Sequence, residues 1–256
     1  MTEPRDGSAG WPATGAPPPL AAGTVHVWHA SLDLPVAAIA PWLAALDAEE
    51  RARAARLVLP EKGRQRAASR AILRGLLGAY LGVPPAQVRI ENGPHGKPRL
   101  VEGDGHSLSF NVSHSRGEAL FAFATAGEVG VDIERVDPRA DTDGIARRFF
   151  ADGERRAIET LPEEQRRVAF FRCWARKEAY LKVRGIGFGV PLGSFEVSVG
   201  SEAALLTESP EVEGSGRITL VDLDVFPGFE ACLAIEGLRP RVHCFRLEPP
   251  RAGGVL

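Results

Sequence analysis

Two short phrases recur, in the same order, in the two halves of this chain. Gly78-Ala79-Tyr80-Leu81 is matched by Glu178-Ala179-Tyr180-Leu181, and Glu118-Ala119-Leu120-Phe121-Ala122-Phe123 by Glu230-Ala231-Cys232-Leu233-Ala234-Ile235. The first phrase of each pair ends a stretch of helical periodicity, and the second reads as a buried strand. A plan repeated in this way constrains the chain to two similar α+β halves, joined near Gly127. Glu178 has only Gly78 as its counterpart, so the halves are not chemically equal.

Residues 24–30 alternate as a strand, and Asp47-Ala48-Glu49-Glu50 has the cap and the later carboxylate of a helix start. A basic amphipathic stretch follows over 51–81, broken near Pro60, and strands are predicted at 88–90, 108–112 and 119–124. In the second half we expect a helix at 145–150 and a long one over 162–183 ended by Gly185. Strands should follow near Phe195, Ile218, Ala231 and Val242. Residues 1–23 are rich in Pro, Gly and Ala, which predicts a mobile tail outside the fold. The halves are then 24–127 and 128–248, with a second tail at 249–256.

In Gly130-Val131-Asp132-Ile133-Glu134, strand periodicity places Asp132 and Glu134 on one face, roughly 6–7 Å apart at twice the strand rise. Anions that close raise each other's pKa or call for a cation. In Trp174-Ala175-Arg176-Lys177-Glu178-Ala179-Tyr180-Leu181-Lys182, helical spacing sets Glu178 one turn after Trp174 and two after Phe171, along an apolar stripe. Taken singly, each segment also has an ordinary reading. Asp132 and Glu134 fit the solvent face of an edge strand, and Glu178 with Lys182 fits a surface i,i+4 pair worth about 0.2–0.5 kcal/mol. Together they point to a metal-bound phosphate site.

At 256 residues the chain can bury a core without disulfides or metal staples. A net charge of −2 argues against general nucleic-acid binding, though local basic clusters can hold a small polyanion. The three cysteines, Cys173, Cys232 and Cys244, lack C-x-x-C spacing. They predict reduced core thiols and a cytoplasmic protein. No apolar run reaches the length of a membrane span, and no secretory signal opens the chain.

His95-Gly96-Lys97-Pro98, after Asn92-Gly93-Pro94, is a turn whose amides and cation can approach a phosphate, or an ordinary hairpin turn. Asn111-Val112-Ser113-His114-Ser115 ends a strand and offers hydroxyl, amide and imidazole. No G-x-S-x-G elbow accompanies it, so His114 reads as a phosphate or ribose contact rather than a triad base. Arg51, Arg53, Arg56, Arg64, Arg66, Arg70 and Arg74 read mostly as solvated face, with one or two reaching a terminal phosphate. His26 and His29 fall on opposite strand faces and make a poor metal pair. Cys173 reads as packing.

These motifs resemble those of the Sfp-type 4'-phosphopantetheinyl transferases, of the holo-acyl-carrier-protein synthase superfamily, over residues 24–245. The family's G-[IV]-D-[IV]-E strand is matched at 130–134 and its W-x-x-K-E-[AS]-x-x-K helix at 174–182. Its G-K-P loop is matched at 96–98, its N-[LIV]-S-H-S segment at 111–115 and its R-F-F at 148–150. The resemblance implies a pseudo-twofold α+β pair with coenzyme A in the cleft between the halves. It implies Mg²⁺ at Asp132, Glu134 and Glu178, with Ile133 in the uncharged middle position. Nucleotide contacts are implied at His95, Lys97, Ser113 and His114, and Arg53 falls near the 3'-phosphate. Asp132, Glu178 and Lys182 are the implied catalytic set, Glu178 deprotonating a carrier serine and Lys182 binding pyrophosphate. Trp174 and Lys177 shape the site. Glu50 and Gln65 stand where relatives can have cations, and Arg116 replaces a glycine.

The implied reaction moves phosphopantetheine from coenzyme A to a serine of an apo acyl or peptidyl carrier protein, releasing 3',5'-ADP. The carrier could belong to fatty-acid, polyketide or nonribosomal peptide synthesis. With both halves of the cleft in one chain, a monomer is expected. The rivals are a non-catalytic module that binds coenzyme A or a carrier, and a Mg²⁺-dependent phosphohydrolase.

Overall fold

The computed structural model describes residues 10–34, 40, 43–56, 60–93, 95–101, 108–209, 212, 216–237 and 240–248. The expected tail at 249–256, residues 1–9 of the first tail, and Pro94 of the basic turn lie outside the described residues. Strands are β1 (Ala13–Thr14), β2 (Thr24–Ser31), β3 (Ile90–Asn92), β4 (Pro98–Leu100), β5 (Ser109–Ser115), β6 (Glu118–Ala124) and β7 (Val129–Arg135). After them come β8 (Glu196–Val197), β9 (Leu205–Thr207), β10 (Ile218–Asp222), β11 (Phe229–Glu236) and β12 (Arg241–Leu247). Helices are α1 (Ala48–Ala55), α2 (Pro60–Leu81), α3 (Thr142–Phe149), α4 (Asp152–Glu159) and α5 (Glu163–Arg184).

One sheet runs β1-β12-β2-β6-β5 and a second runs β10-β11-β7. The order β2-β6-β5 in the first therefore repeats as β7-β11-β10 in the second. The echoed phrases fall on the two central strands, β6 and β11, and their neighbours keep register. Ala119 pairs with Ala30 as Ala231 pairs with Ile133, and Leu120 pairs with His29 as Cys232 pairs with Asp132. The duplication read from sequence is thus expressed in strand order and in pairing.

Each sheet buries one face under its long helix. Ile72, Leu76 and Leu77 of α2 pack with Trp28, Phe121 and Phe123. Ala175, Ala179 and Leu181 of α5 pack with Cys232 and Ala234. The other faces meet, as Val25, Val27, Leu120 and Ala122 join Val129, Val131, Ile133 and Leu233 in one core. On β7 this commits the odd-numbered residues to the core between the sheets and turns Gly130, Asp132 and Glu134 toward α5.

The helix start at Asp47 forms as expected. Glu50 N donates to Asp47 Oδ1 at 2.8 Å and Asp47 N to Glu50 Oε2 at 3.0 Å. The long second-half helix ends at Gly185, whose φ of 67° is the left-handed geometry glycine adopts without strain.

Two expectations need correction. Part of the expected first tail is ordered into the fold, where Ala13 and Thr14 pair in parallel with Arg246 and Leu247. The last strand, assigned to the second half, instead lies in the first sheet, parallel to β2 with Val242 opposite Val25. Cys173, Cys232 and Cys244 are free thiols. No described helix is long and apolar enough to cross a membrane.

Candidate active site at the seam between the sheets

Strands β5 and β7 are sheet edges that meet at the seam of the two halves. Side chains close that seam. Val131 N donates to Asn111 Oδ1 at 2.9 Å, Ser113 Oγ to Asp132 Oδ1 at 2.7 Å, and Ser115 Oγ to Glu134 Oε2 at 3.0 Å. Arg135 N donates to Ser115 Oγ at 3.2 Å. Two lysines cap carbonyls of the same strand, Lys97 at Val129 O (3.0 Å) and Lys182 at Val131 O (3.2 Å). Edge groups that would cost free energy if buried unpaired are in this way satisfied.

Gly130 brings the strand against α5. A Cβ there would lie 2.3 Å from the Ala179 carbonyl oxygen and 2.4 Å from Val183 N. Two residues on, Asp132 is consequently within reach of Lys182, whose Nζ stands 2.6 Å from Oδ1 and 2.9 Å from Ser113 Oγ. Asp132 is buried at 2 % exposure, and its Oδ2 has no hydrogen-bond partner. Glu178 Oε1 is likewise buried without one. Burial, then the Asp132 charge, pushes the Glu134 and Glu178 carboxyls up to about 7. Three carboxylates thus influence one another beside a single lysine.

Among the described residues, no three His, Cys, Asp or Glu side chains form a set able to enclose a metal by themselves. The partial set fits a hard divalent cation nonetheless. Its donors are all carboxylate oxygens, two of them buried and unpartnered, with an excess of negative charge. A magnesium ion takes one or two carboxylates and completes its shell with water and substrate phosphate.

His114 occupies the opposite face of β5 from Ser113. It lines a cavity of about 240 Å³ with Arg53, Arg66, Ser69, Arg70 and Gly96. Desolvation, and then the Lys182 and Arg66 cations, lower its pKa below the usual imidazole value. Arg66 makes no ion pair among the described residues, so its charge is available to an anion. Arg53 pairs with Glu49 one turn earlier on an exposed helix face. Arg70 and Arg74 both grip the buried Glu50 carboxylate. The reading of these arginines as mostly solvated therefore fails for Arg74, which is buried at 4 % exposure.

Lys97 and His95 do not join that cavity. They line a second one, of about 550 Å³, with Arg99 and Arg184, and Lys97 Nζ is 2.7 Å from Glu128. The site residues expected from sequence thus fall into three places. Asp132, Glu134, Glu178, Lys182 and Ser113 lie at the seam, Arg53 and His114 in the arginine cavity, and His95 and Lys97 in the turn of the β3–β4 hairpin, from which Lys97 reaches Val129 O at the start of β7. Sequence reasoning missed the seam roles of Asn111 and Ser115. Their period of two with Ser113 was the available signal, since it puts all three on one strand face. The close approach at Gly130 was also missed.

Comparison with known proteins identifies the family. Residues 128–215 match the 4'-phosphopantetheinyl transferase superfamily, and residues 35–125 match the N-terminal region of 4'-phosphopantetheinyl transferases. The chain is 40 % identical over 219 residues to the 4'-phosphopantetheinyl transferase HetI of Nostoc sp., covering 85 % of this chain and 90 % of that protein. It is 27 % identical over 160 residues to the 4'-phosphopantetheinyl transferase Sfp of Bacillus subtilis, covering 62 % and 68 %. Among solved structures, the holo-[acyl-carrier-protein] synthase of Thermotoga maritima aligns with a TM-score of 0.33 and 21 % identity, over 44 % of this chain and 64 % of that one. On the extent of these sequence matches, the chain belongs to the Sfp-type 4'-phosphopantetheinyl transferase family of enzymes.

Proposed function

We propose that this chain transfers the 4'-phosphopantetheine group of coenzyme A to a serine of an apo carrier protein, in a magnesium-dependent reaction that releases 3',5'-ADP. The observation that carries this reading is the pair of buried, unpartnered oxygens on Asp132 and Glu178 beside the Lys182 ammonium. Buried polar atoms without partners are rare, and a cation with a pyrophosphate supplies what these groups lack.

Asp132, Glu134 and Glu178 would hold magnesium, which when bound neutralises charge on the pyrophosphate oxygens. Lys182 binds the pyrophosphate by exchanging one of its internal hydrogen bonds. Arg66, Arg53 and His114 hold the nucleotide end by charge and hydrogen bonding. Glu178, at the edge of the metal site, accepts the proton of the carrier serine, directly or through a bound water. The serine oxygen bonds to the phosphorus bearing pantetheine while the bond from that phosphorus to the bridging oxygen breaks. The electron pair leaves with 3',5'-ADP. Positioning supplies much of the acceleration in such a transfer. The partners of this reading are coenzyme A and a carrier protein, met by a monomer in the cytoplasm.

Asp132→Ala and Glu178→Ala should each abolish carrier modification while leaving the chain folded. The check is to incubate each variant with coenzyme A, Mg²⁺ and an apo carrier and to weigh the carrier by mass spectrometry. Full modification by either variant removes its assigned role. Phosphate or nucleotide release by the wild type without a carrier would favour a phosphohydrolase. Coenzyme A binding without turnover on a panel of apo carriers would favour a binding module.

A further inference from the structure

Ser113 is buried at 7 % exposure, and its hydroxyl is used twice. It donates to Asp132 Oδ1 at 2.7 Å and accepts from Lys182 Nζ at 2.9 Å. Lys182 also reaches Asp132 Oδ1 at 2.6 Å and Val131 O at 3.2 Å, so its three protons have three acceptors within the chain. Asp132 Oδ1 therefore takes two donors, while Oδ2 takes none. The carboxylate torsion of aspartate is broad and roughly two-fold, so the backbone alone does not select this arrangement.

We propose that Ser113 is a positioning residue of the transferase site, holding Asp132 and Lys182 apart in a fixed triangle that keeps Asp132 Oδ2 open toward a divalent cation. Without the hydroxyl, Lys182 regains a free proton and Asp132 loses a donor. The two then close into a tighter mutual pair that spends both carboxylate oxygens on the lysine. The hydroxyl comes from the first half of the chain and the groups it sets come from the second, so the geometry exists only once the seam has formed.

The neighbouring residue supports the assignment. His114 lines the arginine cavity on the other face of β5, and Ser113 does not. The strand thus divides the adjacent pair between two tasks. The resemblance alone had placed both at the nucleotide. Ser115 holds Glu134 in the same manner, one strand repeat further on.

The inference rests on the transferase reading for what the site does, but its first readout does not. Mn²⁺ binding to the intact chain is titrated by the electron paramagnetic resonance of the free ion, with coenzyme A affinity measured separately by calorimetry without metal. Ser113→Thr and Ser113→Val differ only by a hydroxyl in near-identical shape, which separates its role from packing. Ser113→Val should weaken Mn²⁺ binding and lower kcat for carrier modification, each by about 10–100-fold, as loss of a residue supporting a metal ligand typically does. Ser113→Thr should retain Mn²⁺ affinity and kcat close to the wild type.

Weakened coenzyme A affinity with Mn²⁺ binding and kcat intact would show a nucleotide contact and overturn the proposal. Equal behaviour of Thr and Val variants would also overturn it, because only the hydroxyl distinguishes them. Should the wild type fail to modify any carrier, the transferase reading falls, and the Mn²⁺ comparison still decides the role of Ser113.

Discussion

Tyr80 Oη accepts a hydrogen bond from Trp28 Nε1 and pairs with His26 Nδ1 at 2.8 Å. Burial, then the nearby His243 charge, lowers the His26 pKa from 6.5 to about 4. An unfolded chain takes up the proton near pH 6.5, whereas the folded chain resists it until about pH 4. The contribution to stability is therefore full above pH 6.5 and is lost as pH falls toward 4, by about 1–3 kcal/mol. Urea unfolding of the wild type and His26→Gln at pH 7.5 and 4.5 should show the variant losing less stability over that interval. Equal losses would remove the assignment. At this scale the sequence was legible where chemistry follows strand parity. It put Asp132 and Glu134 on one face, and His26 and His29 on opposite ones. His26 meets Tyr80 while His29 meets Glu118. The Tyr80 contact itself joins residues 54 positions apart and had no local signature.

Helix α5 was readable almost end to end, because apolar spacing and a terminal glycine define it locally. Its seating on β7 was not readable, since that depends on a missing side chain. With any Cβ at 130 meeting the Ala179 carbonyl, Gly130→Ala must push strand and helix apart. We expect a loss of about 1–3 kcal/mol, the usual cost of overpacking. Carrier modification should fall further than stability, because Lys182 moves relative to Asp132. Thermal unfolding together with the carrier mass assay checks both. A variant as active and as stable as the wild type would show that the contact yields freely. Helix α4 was missed altogether, its eight residues being mostly charged. It is held by tertiary contacts instead. Buried Glu154 accepts from Lys177 Nζ at 2.6 Å and from Val197 N at 2.8 Å. The motif lysine before Glu178 is thus turned inward to secure α4.

Across the whole molecule, the duplication was visible because two phrases survive on equivalent central strands. The destination of β12 was hidden, since periodicity reports a strand without naming its neighbour. Its place between β1 and β2 makes the first sheet depend on residues from the far end of the chain. Truncation after residue 240 should uncover the edge of β2. We expect loss of the cooperative thermal transition and rapid cleavage by trypsin, measured by circular dichroism and limited proteolysis. A truncated chain that melts cooperatively near the full-length temperature would show that the first half stands alone. The same crossing has a bearing on biosynthesis. A ribosome that has delivered β2 has not made its partner until translation has passed residue 247, so the first half waits, incompletely paired, while the second half is made. The finished enzyme is in this sense sealed by its last strand, and a nascent chain halted before that point would be a candidate for chaperones rather than for catalysis.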